Sequence, residues 1–144
     1  CKRFVYFSSS MVYGDFKKSI VNEEDETNPK DAYGVMKLAG ELITKGISKL
    51  YNIPYTIIRP SAVYGPMDMN KRVSQIFIEN TLLGKEITIN GDGKEKLDFT
   101  YIEDLYHGIF RCIKSKNSIN QIFNITYGHG REVSELINIL EKKI

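Results

Sequence analysis

"KRFVYFSSSMVYG", residues 2–14, runs four apolar residues straight into three hydroxyls. Phe4 to Phe7 has no polar interruption, which is the pattern of a buried strand rather than one that alternates toward solvent. Serines at the C-terminal end of such a strand stand where open α/β sheets hold their ligands. The same serines also fit a strand-to-loop turn whose hydroxyls satisfy loose backbone groups.

Outward from this stretch, strand patterns recur at 55–61 ("YTIIRPS"), 86–90 ("EITIN") and 121–126 ("QIFNIT"). Helical patterns fall between and after them. Residues 31–51 carry Tyr33, Met36, Ala39, Leu42, Ile43, Ile47 and Leu50 at close to a 3.6 period. Residues 72–84 behave alike, with Gly84 as the C-terminal stop. The stretch 103–115 opens on Glu103 and Asp104, favourable at a helix N-terminus. A last helix is expected over 133–144, with Leu136, Ile137, Leu140 and Ile144 on one face. Strands alternating with helices predict an α/β fold built on a parallel sheet. Loops are expected at 14–30, 64–70 and 91–98, and the acidic "NEEDETNPK" (22–30) reads as a solvated connection.

The bulk numbers exclude more than they assign. A length of 144 residues fits one domain, and an apolar share of 42% supports a core. A net charge of +2, with basic residues scattered, gives no argument for nucleic acid or a membrane surface as partner. Cys1 and Cys112 have neither metal nor disulfide spacing, so a reducing, cytoplasmic setting is the expectation. His107 and His129 lack the partners a zinc site needs, and no metal is expected. No apolar run reaches the roughly 18 residues of a membrane span. The first residue is Cys and the chain enters a strand at once, so an N-terminal part of a larger domain is expected to precede it.

The chemistry centres on "DAYGVMK" (31–37). Tyr33 and Lys37 are four apart, so a helix places them on one face with Cβ atoms roughly 5–6 Å apart. A free phenol, with a pKa of about 10, is a poor base at neutral pH, and a cation beside it favours the phenolate. That arrangement suits proton transfer; an unrelated tyrosine and lysine on a helix surface would show the same spacing. "RPSAVYGP" (59–66) is again strand into loop, its path fixed by Pro60 and Pro66. "GDGKEKLDFTYIEDL" (91–105) is a Gly-rich turn leading into a helix.

Taken together, "SSSMVYG", "YGVMK", "RPSAVYGP", "GDGKEKLDFTYIEDL" and "FNITYGHGREVSELI" (123–137) resemble, in order and spacing, the extended short-chain dehydrogenase/reductases. The likeness is to their NAD-dependent sugar-nucleotide epimerase/dehydratase group in particular. The resemblance implies a Rossmann-like doubly wound parallel sheet without its first βαβ units. Residues 1–66 would form the C-terminal half of the NAD-binding domain, and 67–144 would be mostly substrate-binding, with a strand near 121–126. It implies Tyr33 as the acid/base, Lys37 on the nicotinamide ribose, and Ser9 as the catalytic hydroxyl. Ser8, Pro60 and Val63 would join these three around the cofactor. Ser10, Arg72 and Asn90 would meet the substrate, a nucleoside-diphosphate sugar. The reaction implied is epimerisation through transient oxidation at C4, in a homodimer of the full-length protein. A nucleotide-sugar dehydrogenase or reductase, or a non-catalytic NAD- or sugar-nucleotide-binding subunit, are the alternatives.

Three departures sharpen this. No GxxGxxG fingerprint occurs, so the longer parent is expected to be the enzyme and the isolated stretch inactive, with an unpaired sheet edge. Leu97 stands where many relatives carry a phosphate-gripping Arg, a contact a neutral residue cannot make; Arg72 is the expected replacement. Ser9-Ser10-Met11 stands where the 4,6-dehydratases have Thr-Asp-Glu, so the acid pair for water elimination is missing and epimerisation is favoured.

Overall fold

The computed structural model describes residues 1–16, 18, 20–89 and 91–143. Its centre is a parallel three-stranded sheet in the order β1 (Phe4–Phe7), β2 (Tyr55–Pro60), β6 (Gln121–Ile125). Phe7 lies opposite Ile58, and Arg59 opposite Asn124. Between β1 and β2 the chain forms a 3-10 helix (Ser10–Tyr13), a long loop, and α1 (Ala32–Tyr51). Between β2 and β6 come β3 (Val63–Tyr64), α2 (Val73–Leu82), β4 (Lys96–Leu97), β5 (Thr100–Tyr101) and α3 (Ile102–Lys114). The chain continues into β7 (Arg131–Glu132) and α4 (Val133–Lys143). No helix among the described residues is long and apolar enough to cross a membrane.

The expected α/β fold with a parallel sheet is present, and the wiring follows from the strands' composition. Ile57 and Ile58 in β2 are fully buried, as a strand flanked on both sides requires. A second cluster joins Phe77 of α2 to Val133 and Leu140 of α4, with Leu136 and Ile137 against it. Gly84 follows α2 with φ +61°, a left-handed value that glycine adopts without strain.

Three expectations need correction. The run Phe4–Phe7 reads as a buried strand, yet Phe4 and Phe7 stay 48% and 45% exposed. Among the described residues β1 pairs with β2 alone, the expected unpaired edge, so its apolar run is not covered on both sides. The alternating "EITIN" forms no strand over 86–89, and residue 90 is outside the described residues. Its alternation is used differently: Ile87 packs on the Phe77–Val133–Leu140 cluster, and among the described residues no strand pairs with the segment. Inside the expected 91–98 loop, Lys96 and Leu97 pair antiparallel with Glu132 and Arg131.

α1 begins where Asp31 accepts the Gly34 N–H at 2.6 Å and ends at Asn52, which takes a left-handed φ of 51°. Its period is helical, but the apolar stripe faces outward. Met36, Leu42, Ile43, Ile47 and Leu50 are exposed, whereas Gly34, Glu41 and Thr44 are buried. The inward ridge is small and polar because the helix lies very close to its neighbours. A Cβ on Gly34 would fall 2.6 Å from the Met11 carbonyl oxygen and 2.9 Å from the Pro29 Cβ. Gly34→Ala is therefore expected to destabilise the fold by about 1–3 kcal/mol, as overpacking does, despite alanine's better helix propensity. Denaturant unfolding checks this; a stabilised variant would mean that the 3-10 helix moves aside freely.

Candidate active site

The end of β1 and the first turns of α1 are fastened together by Lys37. Its ammonium donates to the carbonyl of Phe7, the last residue of β1, at 2.8 Å. The same Nζ lies 5.5 Å from the centroid of the Tyr33 ring and 5.8 Å from that of Tyr6, within cation–π range. Tyr33 is 47% exposed, and among the described residues no hydrogen bond occupies its phenol. Burial pushes the neighbouring Tyr6 phenol up, with Glu41 adding to the effect.

The three serines separate into distinct roles. Ser9 has an extended backbone (φ −161°, ψ 154°), and its Oγ accepts the Met11 N–H at 3.2 Å, capping the 3-10 helix. Ser10 is the first residue of that helix. Ser8 turns inward: 2% exposed, it donates through Oγ to Glu41 Oε1 at 2.5 Å.

Three other expected residues lie at and beyond the end of β2. Pro60 ends β2 beside Ile125, and Val63 opens β3 beside Thr100. Arg72, the N-cap of α2, reaches back to the Val63 carbonyl at 3.4 Å and remains exposed. The expected cofactor and substrate positions thus touch through this pair. Asn90 lies outside the described residues.

Beneath these residues runs a buried polar network that sequence reasoning missed. Glu41 and Arg59, 1% and 3% exposed, form a bidentate pair: Nε to Oε1 at 2.8 Å and Nη2 to Oε2 at 2.7 Å. Arg59 Nη1 also donates to the Tyr13 hydroxyl (2.7 Å) and the Glu23 carbonyl (3.2 Å). Tyr13 donates in turn to Asn124 Oδ1 at 2.8 Å, and Asn124 Nδ2 to the Val21 carbonyl at 3.1 Å. The Asn124 N–H donates to Glu23 Oε1 at 2.7 Å. Two signals were available. An arginine inside the apolar run "YTIIRP" demands a buried partner, and Glu41 falls one helical turn beyond Lys37 on the same face. The acidic 22–30 segment, read as solvated, is in part tied down through Glu23.

Burial opposes the charge on Arg59, but Glu41 and Tyr13 together outweigh it and hold the guanidinium more firmly protonated than usual. Burial also pushes the Tyr13 phenol above its ordinary value, outweighing the hydrogen bonds from Arg59 and Asn124. A folded-state pKa above the unfolded one contributes stability that is full below the unfolded value of about 10 and is lost as pH rises through the folded one. Thermal unfolding is therefore expected to show a steeper loss of stability above about pH 10 in the wild type than in Tyr13→Phe; equal slopes would contradict it.

Residues 1–126 match the profile of the NAD dependent epimerase/dehydratase family. A Bacillus subtilis protein described as an uncharacterized UDP-glucose epimerase, YtcB, is 34% identical over 138 residues, which are 96% of this chain and 43% of that protein. A putative UDP-glucose 4-epimerase of Methanocaldococcus jannaschii is 35% identical over 145 residues, covering 97% of this chain and 47% of that protein. Among solved structures, the UDP-glucuronic acid 4-epimerase of Bacillus cereus, in complex with UDP-glucuronic acid and NAD, superposes with a TM-score of 0.92 at 35% identity. That match covers 97% of this chain and 45% of the other. The chain thus spans less than half the length of each of these proteins.

Proposed function

The chain belongs to the NAD dependent epimerase/dehydratase family, and we propose that the full-length protein is an NAD-dependent 4-epimerase of a nucleoside-diphosphate sugar. The observation that carries the reading is Lys37, fixed between the Phe7 carbonyl and the face of Tyr33 at the carboxyl edge of the sheet.

The residues fit a nicotinamide ribose. An ammonium has three donors; one of Lys37's goes to Phe7, which leaves two for vicinal hydroxyls. Pro60, at the carboxyl end of β2, and Val63 would border the same ribose. Bound NAD would supply a site that accepts a hydride from the sugar C4 and gives it back. Tyr33 takes the proton of the C4 hydroxyl as the C4–H bond breaks, leaving a 4-keto sugar. It returns the proton to the carbonyl oxygen once the sugar has presented its other face. Lys37 lays its ammonium against the Tyr33 ring, beside the proton-transferring oxygen, and Ser9 donates to the same sugar oxygen. Ser8 contributes through its buried contact rather than by touching the cofactor. The absence of carboxylates at Ser10 and Met11 disfavours dehydration.

The same reading assigns residues 1–66 to the cofactor and 67–144 mostly to the substrate. Ser10 and Asn90 would line the sugar side, and Arg72 would supply a charge on the diphosphate that Leu97 cannot. Arg72→Ala is expected to raise KM for the nucleotide sugar by about 10- to 100-fold, the value of a charge-assisted hydrogen bond. An unchanged KM would remove Arg72 from the site. The outward apolar stripe of α1, with Met36, Ile43 and Leu50, supports a homodimer packed through this helix.

The test is to incubate full-length protein with UDP-sugars and NAD+. Isomerisation without net NADH is expected. Stoichiometric NADH would make it a dehydrogenase, and binding without turnover a non-catalytic subunit.

A further inference from the structure

From the buried network we infer that Ser8 is a positioning residue for the reaction, linking the Glu41–Arg59 pair to the Ser9 hydroxyl; the inference rests on the proposed roles of Ser9, Tyr33 and Lys37.

A buried ion pair is weak evidence for stability, because taking both charges out of water offsets most of their attraction. What such a pair does supply is a rigid, directional anchor. Here the anchor spans two elements of the site. Glu41 lies one turn beyond Lys37 on α1, and Arg59 lies in β2, whose Ile58 carbonyl accepts the Ser8 N–H at 2.7 Å. Glu41 Oε1 receives both Arg59 Nε and Ser8 Oγ. Ser8 is thus held at both its backbone and its side chain.

Ser9 follows in extended conformation, in which successive side chains point to opposite sides. Clamping Ser8 toward Glu41 therefore sets the direction of the Ser9 hydroxyl. It also fixes the Phe7–Ser8 peptide whose carbonyl holds Lys37. Without the Ser8 hydroxyl both anchors loosen, while Ser9, Tyr33, Lys37 and the ion pair remain. A displacement near 1 Å in such a group can lower the rate by about 100-fold.

The experiment compares Ser8→Ala, Ser8→Thr and Tyr33→Phe in the full-length protein, with bound NAD measured in each. Ser8→Ala is expected to lower kcat by about tenfold or more, leave KM within about twofold, and retain NAD; Ser8→Thr, which keeps the hydroxyl, recovers most of kcat. A kcat unchanged in Ser8→Ala, or a loss that Ser8→Thr does not recover, overturns the inference. If Ser8→Ala does not fold, Ser8→Cys replaces it, with the same two outcomes. Turnover persisting in Tyr33→Phe would instead sink the underlying reading, so the two failures are distinguishable.

Discussion

Tyr33→Phe in the full-length protein is expected to lower turnover by about 100- to 10,000-fold, the range for loss of a positioned acid/base, while bound NAD and the folded structure are retained. The substitution removes one oxygen from a side chain that is half exposed and has no hydrogen-bonded partner among the described residues, so stability has little to lose. The ring remains for the Lys37 ammonium to lie against, and Lys37 keeps its bond to Phe7. Lys37→Met is the companion variant. It removes both the charge on the phenol and the anchor on the end of β1, so it should reduce NAD affinity as well as kcat. Loss of kcat alone in Tyr33→Phe, against loss of both in Lys37→Met, is the expected pattern. If Tyr33→Phe turned over at more than about a tenth of the wild-type rate, another group would be the base.

The sequence was most legible where one residue type has one physical reading. The parallel sheet follows from β-rich runs separated by helical periods, and β2 and β6 lie where their composition places them. The Tyr33–Lys37 pair follows from four-residue spacing on a helix. Legibility failed where a pattern was real but its partner was elsewhere. The 3.6-residue period of α1 is present, yet periodicity does not say which face meets the sheet. Here the docking ridge is Gly34, Glu41 and Thr44, and the apolar face is left outward. The alternation of 86–89 is equally real, but Ile87 packed on the α2–α4 cluster uses it without any strand pairing. The buried network stayed hidden for a related reason. Glu41 and Arg59 are 18 residues apart; the apolar run around Arg59 calls for a buried partner without naming it, and only the crossover from α1 to β2 brings Glu41 to it.

The same pair yields the largest expected loss of stability. Glu41→Ala leaves the Arg59 guanidinium buried without its counter-charge, an arrangement that costs about 3–5 kcal/mol. The lost acceptor for Ser8 adds about 1 kcal/mol more. Set against a typical total of about 5–15 kcal/mol, that loss brings the protein close to unfolding. Denaturant titration of the full-length protein reads it, with Glu41→Gln as a milder variant that keeps the shape and one acceptor. A loss below about 1 kcal/mol would mean that water reaches the pair. Replacing both residues, as in Glu41→Met with Arg59→Met, should behave differently: buried pairs exchanged for apolar side chains of similar volume are often neutral or even stabilising. Tyr13 keeps its bond to Asn124 in that variant, whereas the Ser8 hydroxyl and the Glu23 carbonyl lose these partners, which offsets part of the gain. If the pair holds the active site in register rather than holding the fold together, the double variant will be stable, bind NAD, and still turn over slowly. A double variant that is stable and fully active would assign the pair to neither role.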